Sequence, residues 1–135
     1  MNKYEISVWN DTYDNTLNRY VEEKLIVIGS NTMTSQNRAT SLSLKSNVNG
    51  TNVLTFTMYY DYIDTQTGER VKNPFVNLLV NERKIKAFWK NKWYDLIIKN
   101  ISEDSVNHTF TYTCEDLYLT ELSRTGFNLE FATEL

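Results

Sequence analysis

The 135 residues contain one histidine, His108, and one cysteine, Cys114. Together they would form a base–nucleophile dyad if the imidazole lay within hydrogen-bond reach of the thiol. From His108 onward, Phe110, Tyr112 and Cys114 alternate with Thr109, Thr111 and Thr113, which is the period of an extended strand. Strict alternation puts His108 and Cys114 on one face but about 20 Å apart along it, so the dyad is rejected. Cys114 reads as a small buried hydrophobe, and His108 as a residue at the strand's edge with one satisfied polar contact. Two such ligands fall short of a zinc site, and neither a metal nor a cofactor is expected.

Carboxylates are the next candidates. Asp61 with Asp64, Glu103 with Asp104, and Glu115 with Asp116 are acidic pairs of the kind used by glycosidases and calcium sites. Each falls at an expected turn or helix start, where a carboxylate accepts from exposed backbone N–H groups, and no loop has calcium-ligand spacing. Trp89, Trp93, Tyr94, Tyr59, Tyr60 and Tyr62 would make a sugar-stacking platform if several were exposed together. Period-two placement turns many of them inward and favours core and intersubunit packing. No catalytic residue is assigned. The Asn-x-Ser/Thr sites at Asn10, Asn49, Asn100 and Asn107 carry no weight without a secretory signal.

The elements that must position these residues are strands. Tyr4, Ile6 and Val8 alternate with Glu5 and Ser7 over Lys3 to Trp9; Asn10 to Thr16 reads as a loop; Lys24 to Gly29 is an apolar run suited to a central strand. Thr40 to Lys45 and Val53 to Tyr62 alternate on either side of Asn49-Gly50, a strong hairpin signal. A second hairpin is predicted over Asp64 to Glu69, with Gly68 relieving the turn. Asn73-Pro74 forbids helix before it, and Phe75 to Val80 reads as a short helix or turn. Ile85, Ala87 and Trp89, a Lys90-Asn91-Lys92 turn, and Trp93 to Ile101 form a third hairpin; Ser102 to Asn107 is polar, and the His108 to Cys114 strand returns. Glu115 to Arg124 has acids at its start, Tyr118, Leu119 and Leu122 at helical spacing and Gly126 beyond its end, so a helix is expected there. Phe127, Leu129 and Phe131 alternate in a last extended piece.

Length and composition agree with one β-rich domain over 1–135. Nine Tyr, six Phe and three Trp supply large apolar areas, while four Gly and one Pro leave the turns to Asn and Asp. The expected fold is mostly β, a barrel or sandwich of antiparallel strands with one or two short helices, α+β by strict count. A net charge of -3 without a basic block makes nucleic acid a poor partner. The apolar runs are too short to span a bilayer, and the amino terminus lacks a signal-peptide pattern, so a soluble protein made in a reducing cytoplasm, without a membrane anchor, is expected.

A resemblance then narrows the function. Asn73-Pro74-Phe75, the run Leu79 to Lys86 with Glu82-Arg83, Trp93-Tyr94-Asp95, Ile98 to Ile101 with Glu103-Asp104-Ser105, and Glu121 to Leu129 together resemble the amino-terminal region of minor tail proteins of phages and prophages of Gram-positive bacteria. The resemblance covers most of the chain. It implies a tail-tube-like, β-rich hub domain at the start of a longer baseplate hub protein. That domain would form a homotrimer that closes the tail tube and docks to the distal tail protein, the tape measure and the tube. The implied location is the virion tail tip, and the implied work is assembly rather than catalysis. Members carry receptor-binding or peptidoglycan-cleaving parts further along, so no wall-hydrolase activity is expected of these 135 residues. The resemblance brings no catalytic residues. Trp93, Tyr94, Asp95, Glu82, Arg83 and Phe75 are taken as fold or interface positions, with Glu82 and Arg83 as a possible ion pair. The alternatives are a carbohydrate-binding β-domain for host adsorption and a peptidoglycan hydrolase fragment without its catalytic part.

Overall fold

The computed structural model describes residues 3–46 and 51–116. The protein is mostly β, built on one large antiparallel sheet, and the described residues contain no α-helix. Its strands are β1 (Tyr4–Asp14), β2 (Arg19–Ser30), β3 (Thr40–Ser46), β4 (Asn52–Tyr59), β7 (Lys84–Trp89), β8 (Lys92–Asp104) and β9 (Thr109–Asp116), in the spatial order β2-β1-β7-β8-β9-β4-β3. Between β4 and β7 the chain forms a two-stranded ribbon, β5 (Asp61–Ile63) with β6 (Arg70–Lys72), and a short 3-10 turn at Pro74–Leu78.

Among the described residues no helix lies over the seven-stranded sheet, and its apolar face is hidden against itself. Ile6 and Val8 of β1, Ile28 of β2, Phe56 and Met58 of β4, Ile85 of β7, Leu96 and Ile98 of β8, and Tyr112 and Cys114 of β9 all enter one buried cluster. The curl brings the two outer strands together, where the Ala39 N–H, just ahead of β3, donates to the Ile28 carbonyl of β2 at 2.8 Å. Register shifts in β2, β3 and β8 help the sheet bend, since an extra residue on one strand increases local twist. Phe56 and Tyr112, partners across β4 and β9, stack with ring centroids 5.1 Å apart, a geometry that contributes about 0.5–1.5 kcal/mol beyond burial.

Three turns use one device. Asp14 Oδ1 accepts from the N–H groups of Thr16 and Leu17, Asp64 Oδ1 from that of Gln66, and Asp104 Oδ1 from those of Val106 and Asn107. Four residues after each aspartate the backbone turns left-handed, at Asn18, Gly68 and His108, with φ of 57°, 74° and 57°. These residue types reach that region at least cost. The expected Lys90-Asn91-Lys92 turn is present as a two-residue connection with both Lys90 and Asn91 at positive φ, which matches the twist of the strands it joins.

Several expectations are corrected. Asn10 to Thr16 is not a loop, because β1 continues to Asp14, pairing Thr12 with Val21 and Tyr13 with Tyr20. Its Asn and Asp residues are extended by cross-strand contact, which overrides their turn preference. The apolar run Lys24 to Gly29 lies in β2 at the end of the strand order rather than at the centre; its burial comes from the curl. Val53 to Tyr62 breaks at Tyr60 into β4 and β5, and β8 runs on through Ser102 to Asp104. The short helix or turn expected over Phe75 to Val80, by contrast, is present as the 3-10 turn Pro74–Leu78, started by the Asn73 side chain accepting from the Phe75 N–H at 3.0 Å. Glu115 and Asp116 finish β9 instead of opening a helix, and Asp116 accepts from the backbone N–H of Asn52 at 2.6 Å. The rest of the expected helix, the extended piece through Phe131 and the Asn49-Gly50 turn lie outside the described residues, although β3 and β4 do pair antiparallel on either side of that turn.

Candidate functional site

Two concave regions of the described surface stand out. One is an apolar recess of about 280 Å³ inside one rim of the sheet, lined by Tyr4, Ile6, Leu42, Leu44, Leu54, Ala87, Phe88 and Trp89. It carries no ionisable group other than the Tyr4 phenol. The other is a wider groove of about 660 Å³ whose lining mixes aromatic, aliphatic and charged side chains.

Three pieces of chain build the groove. The segment before β3, with the start of β3, contributes Gln36, Arg38, Thr40 and Ser41; β4 and the ribbon contribute Tyr59, Asp61, Tyr62, Ile63 and Arg70; the β8–β9 turn contributes Asn107 and His108. Asp61 is the electrostatic centre. Its Oδ1 accepts from Arg70 and lies 2.8 Å from His108 Nδ1, so the ribbon is tied to the β8–β9 turn through one carboxylate oxygen. The Tyr60 N–H donates to the His108 carbonyl at 3.0 Å, and the Tyr60 ring lies 5.5 Å from the imidazole and 5.0 Å from Phe110. Burial pushes the Asp61 carboxyl up, but donation from Arg70 and His108 outweighs it and holds the group below the ordinary aspartate value. Burial, followed by the negative charges of Glu103 and Asp61, pushes the Tyr60 phenol up.

An imidazole oriented by a carboxylate is half of a hydrolytic triad. The other half is a hydroxyl or thiol in contact with it, and among the described residues no hydrogen bond joins His108 to a Ser, Thr or Cys side chain. Cys114 is buried at the far end of β9, its thiol pushed up to about 12 by burial, which keeps it protonated and unreactive. Among the described residues no cluster of three or more His, Cys, Asp and Glu could hold a metal ion. Asp61 takes no part in a turn, unlike Asp64 and Asp104; its partners Arg70 and His108 stand 9 and 47 residues away. Proximity in sequence pointed only to the local role. The spacing from Asp104 to His108, repeated at Asp14 to Asn18 and Asp64 to Gly68, was the available sign that His108 sits in a turn.

The six positions singled out from the sequence do not converge. Trp93 and Asp95 point outward from β8, while Tyr94 points inward and packs on the core. Trp93 is 52% exposed, with its ring 5.0 Å from Phe88, and Asp95 lies 3.8 Å from Lys86. Phe75 rests on the core from the 3-10 turn. Glu82 and Arg83 act through the backbone: the Glu82 N–H donates to the Ile98 carbonyl at 2.8 Å, and the Ile98 N–H donates to the Arg83 carbonyl at 3.0 Å. Glu82 has φ of 68°, so this pair forms the turn into β7 and locks it to β8. Of the six aromatics considered for a platform, Tyr59 and Tyr62 line the groove, Trp89 lines the apolar recess and Tyr60 packs beneath His108.

Comparison with protein-family models, with curated proteins and with solved structures returns no match to this chain.

Proposed function

We propose that the chain is a structural component of a phage or prophage tail tip, a baseplate-hub domain whose work is to dock to neighbouring tail proteins and help close the tube. The observation that carries this reading is the β1–β2 hairpin. β7 pairs with β1 only from Tyr4 to Trp9, so among the described residues the backbone of Asn10 to Asp14 pairs with β2 alone and forms an arm beyond the rest of the sheet, braced at its base by Lys84 on Asp11 at 2.9 Å and Lys86 on Glu22 at 2.8 Å. Its outer part carries Tyr20 at 70% exposure, Leu17 at 52%, and Tyr13 packed edge-on against Tyr20 with ring centroids 5.1 Å apart. Apolar side chains held out on a stiff two-stranded arm suit contact between subunits.

The residues behind the family resemblance support the same reading. Asn73 is buried, with its Nδ2 donating to the carbonyls of Tyr59 at 2.8 Å and Asn37 at 3.1 Å. Leu79 is in the core, Glu82 and Arg83 make the turn into β7, and Trp93-Tyr94-Asp95 opens β8. These positions build an architecture, and none of them lines the Asp61–His108 groove.

The decisive measurement is native mass spectrometry of the chain mixed with the distal tail and tube proteins encoded beside it. Wild-type protein should form a complex, and a Leu17→Ser, Tyr20→Ser double variant, whose changes are solvent-exposed, should lose it while keeping the wild-type melting temperature. A wild-type chain that binds none of its neighbours would defeat the proposal.

A further inference from the structure

We infer that the groove between the β5–β6 ribbon, β3 and the β8–β9 turn is a binding site for a neutral oligosaccharide. The site is separate from the arm that carries the assembly reading.

A pyranose ring presents two kinds of surface, a face of C–H groups and a rim of hydroxyls. It therefore calls for aromatic rings beside hydrogen-bonding groups that both donate and accept. The groove supplies both. Tyr59 is 42% exposed at the end of β4, and Tyr62 and Ile63 of the ribbon also line the groove, with Ile63 at 45% exposure. Asp61, Asn107, Ser41 and Gln36 share the lining with them. At about 660 Å³ the groove lies within the roughly 300–1,000 Å³ typical of sites for small organic ligands.

At the Asp61 corner of the groove the charge already in place favours a neutral hydroxyl over an anion. Arg70 is paired with Asp61, and one guanidinium nitrogen of Arg38 donates to the backbone carbonyls of Ser35 at 2.7 Å and Thr34 at 3.3 Å. The Asp61 carboxylate stands between Arg70 and His108, so a phosphate or carboxylate entering there would meet a negative charge already in place. A hydroxyl meets no such repulsion and can use the free lone pairs of that carboxylate. Anchoring by Asp61 and by Asn73, whose Nδ2 holds the Tyr59 carbonyl, fixes the ribbon and Tyr59 in advance, so little conformational freedom is lost on binding.

The test uses the full chain labelled with nitrogen-15, titrated separately with maltotriose, triacetylchitotriose, glycerol and inorganic phosphate. At least one of the two saccharides should shift the backbone amides of Ser41, Tyr59, Tyr62 and Asn107 saturably, with glycerol and phosphate leaving them in place. Tyr59→Ala should weaken that binding about tenfold and Tyr59→Phe should retain it, because the stacking ring survives in the second variant. The mapping on wild-type protein stands even if Tyr59→Ala fails to fold, and Tyr62→Ala then takes its place. Shifts absent with both saccharides, shifts centred on the apolar recess at Trp89, or phosphate moving the same amides as strongly would each overturn the assignment. Loss of tail-protein binding in the arm variant has no bearing on this result.

Discussion

Asp61 of the ribbon and His108 of the β8–β9 turn share a hydrogen bond of 2.8 Å, which joins two segments also linked by the Tyr60 N–H on the His108 carbonyl and by Arg70 beside the imidazole. The carboxyl is depressed below its ordinary value because donation from Arg70 and His108 outweighs the upward push of burial. A depressed acid contributes stability that is fully present above its unfolded-state value, about 3.9, and that is lost as pH falls through the lower folded value. Urea midpoints measured as pH falls through that window should therefore drop more steeply for wild type than for Asp61→Asn. Parallel curves for the two proteins would show that the carboxylate contributes nothing to folding.

Asn73 satisfies three backbone groups with one buried side chain, donating to the Tyr59 and Asn37 carbonyls and accepting from the Phe75 N–H. Asn73→Ala strands all three at a position only 1% exposed, so a loss of about 2–3 kcal/mol is expected. Asn73→Asp keeps the acceptor, removes the donors and buries a charge, and it should be at least as damaging. Chemical denaturation of both variants checks this; a loss below about 0.5 kcal/mol for Asn73→Ala would mean that water replaces the side chain.

How far the sequence could be read depended on whether neighbours along the chain or neighbours across the sheet decide a residue's place. Ile6, Val8, Ile85, Ala87, Tyr112 and Cys114 were legible as inward residues because alternation alone assigns a face. The arm was not, since Asn10 and Asp11 favour turns and are extended here by pairing with Glu23 and Glu22. The groove was not legible either. Asp61 and His108 meet through the break at Tyr60, and Val53 to Tyr62 looks unbroken to a pattern that registers only polarity. Trp93 and Tyr94 were joined as one anchor because they adjoin in sequence, although adjacent strand residues face opposite ways.

The seam where the sheet curls onto itself is tight at Gly29. A Cβ there would lie 3.2 Å from the Ala39 Cβ and 3.8 Å from that of Ile6. Ala39 is held by its N–H bond to Ile28 and is 2% exposed, so it can yield only by stretching that bond. Gly29→Ala should cost about 1 kcal/mol and Gly29→Val about 1–3 kcal/mol. In Gly29→Ala the Ala39 amide should exchange with solvent faster, while the amides of β7 and β8 change less. Uniform acceleration across all strands would place the strain somewhere other than the seam.

Trp93 and Tyr94 separate assembly from folding because the strand turns one out and the other in. Trp93 lies half exposed over Phe88, so Trp93→Ala should change the unfolding free energy by no more than about 1 kcal/mol. Tyr94 is half-buried, packs on the core cluster and carries the Lys92 ammonium 5.0 Å from its ring centroid. Tyr94→Ala should cost about 1.5–3 kcal/mol, the range for losing a partly buried aromatic. If the face of β8 bearing Trp93 and Asp95 meets a neighbouring tail protein, Trp93→Ala should weaken that complex in native mass spectrometry at unchanged melting temperature. Tyr94→Ala should weaken it only in step with its loss of folded protein. Equal stability losses in the two variants would remove the interface role from Trp93, because an outward residue has no core contacts through which to destabilise the chain.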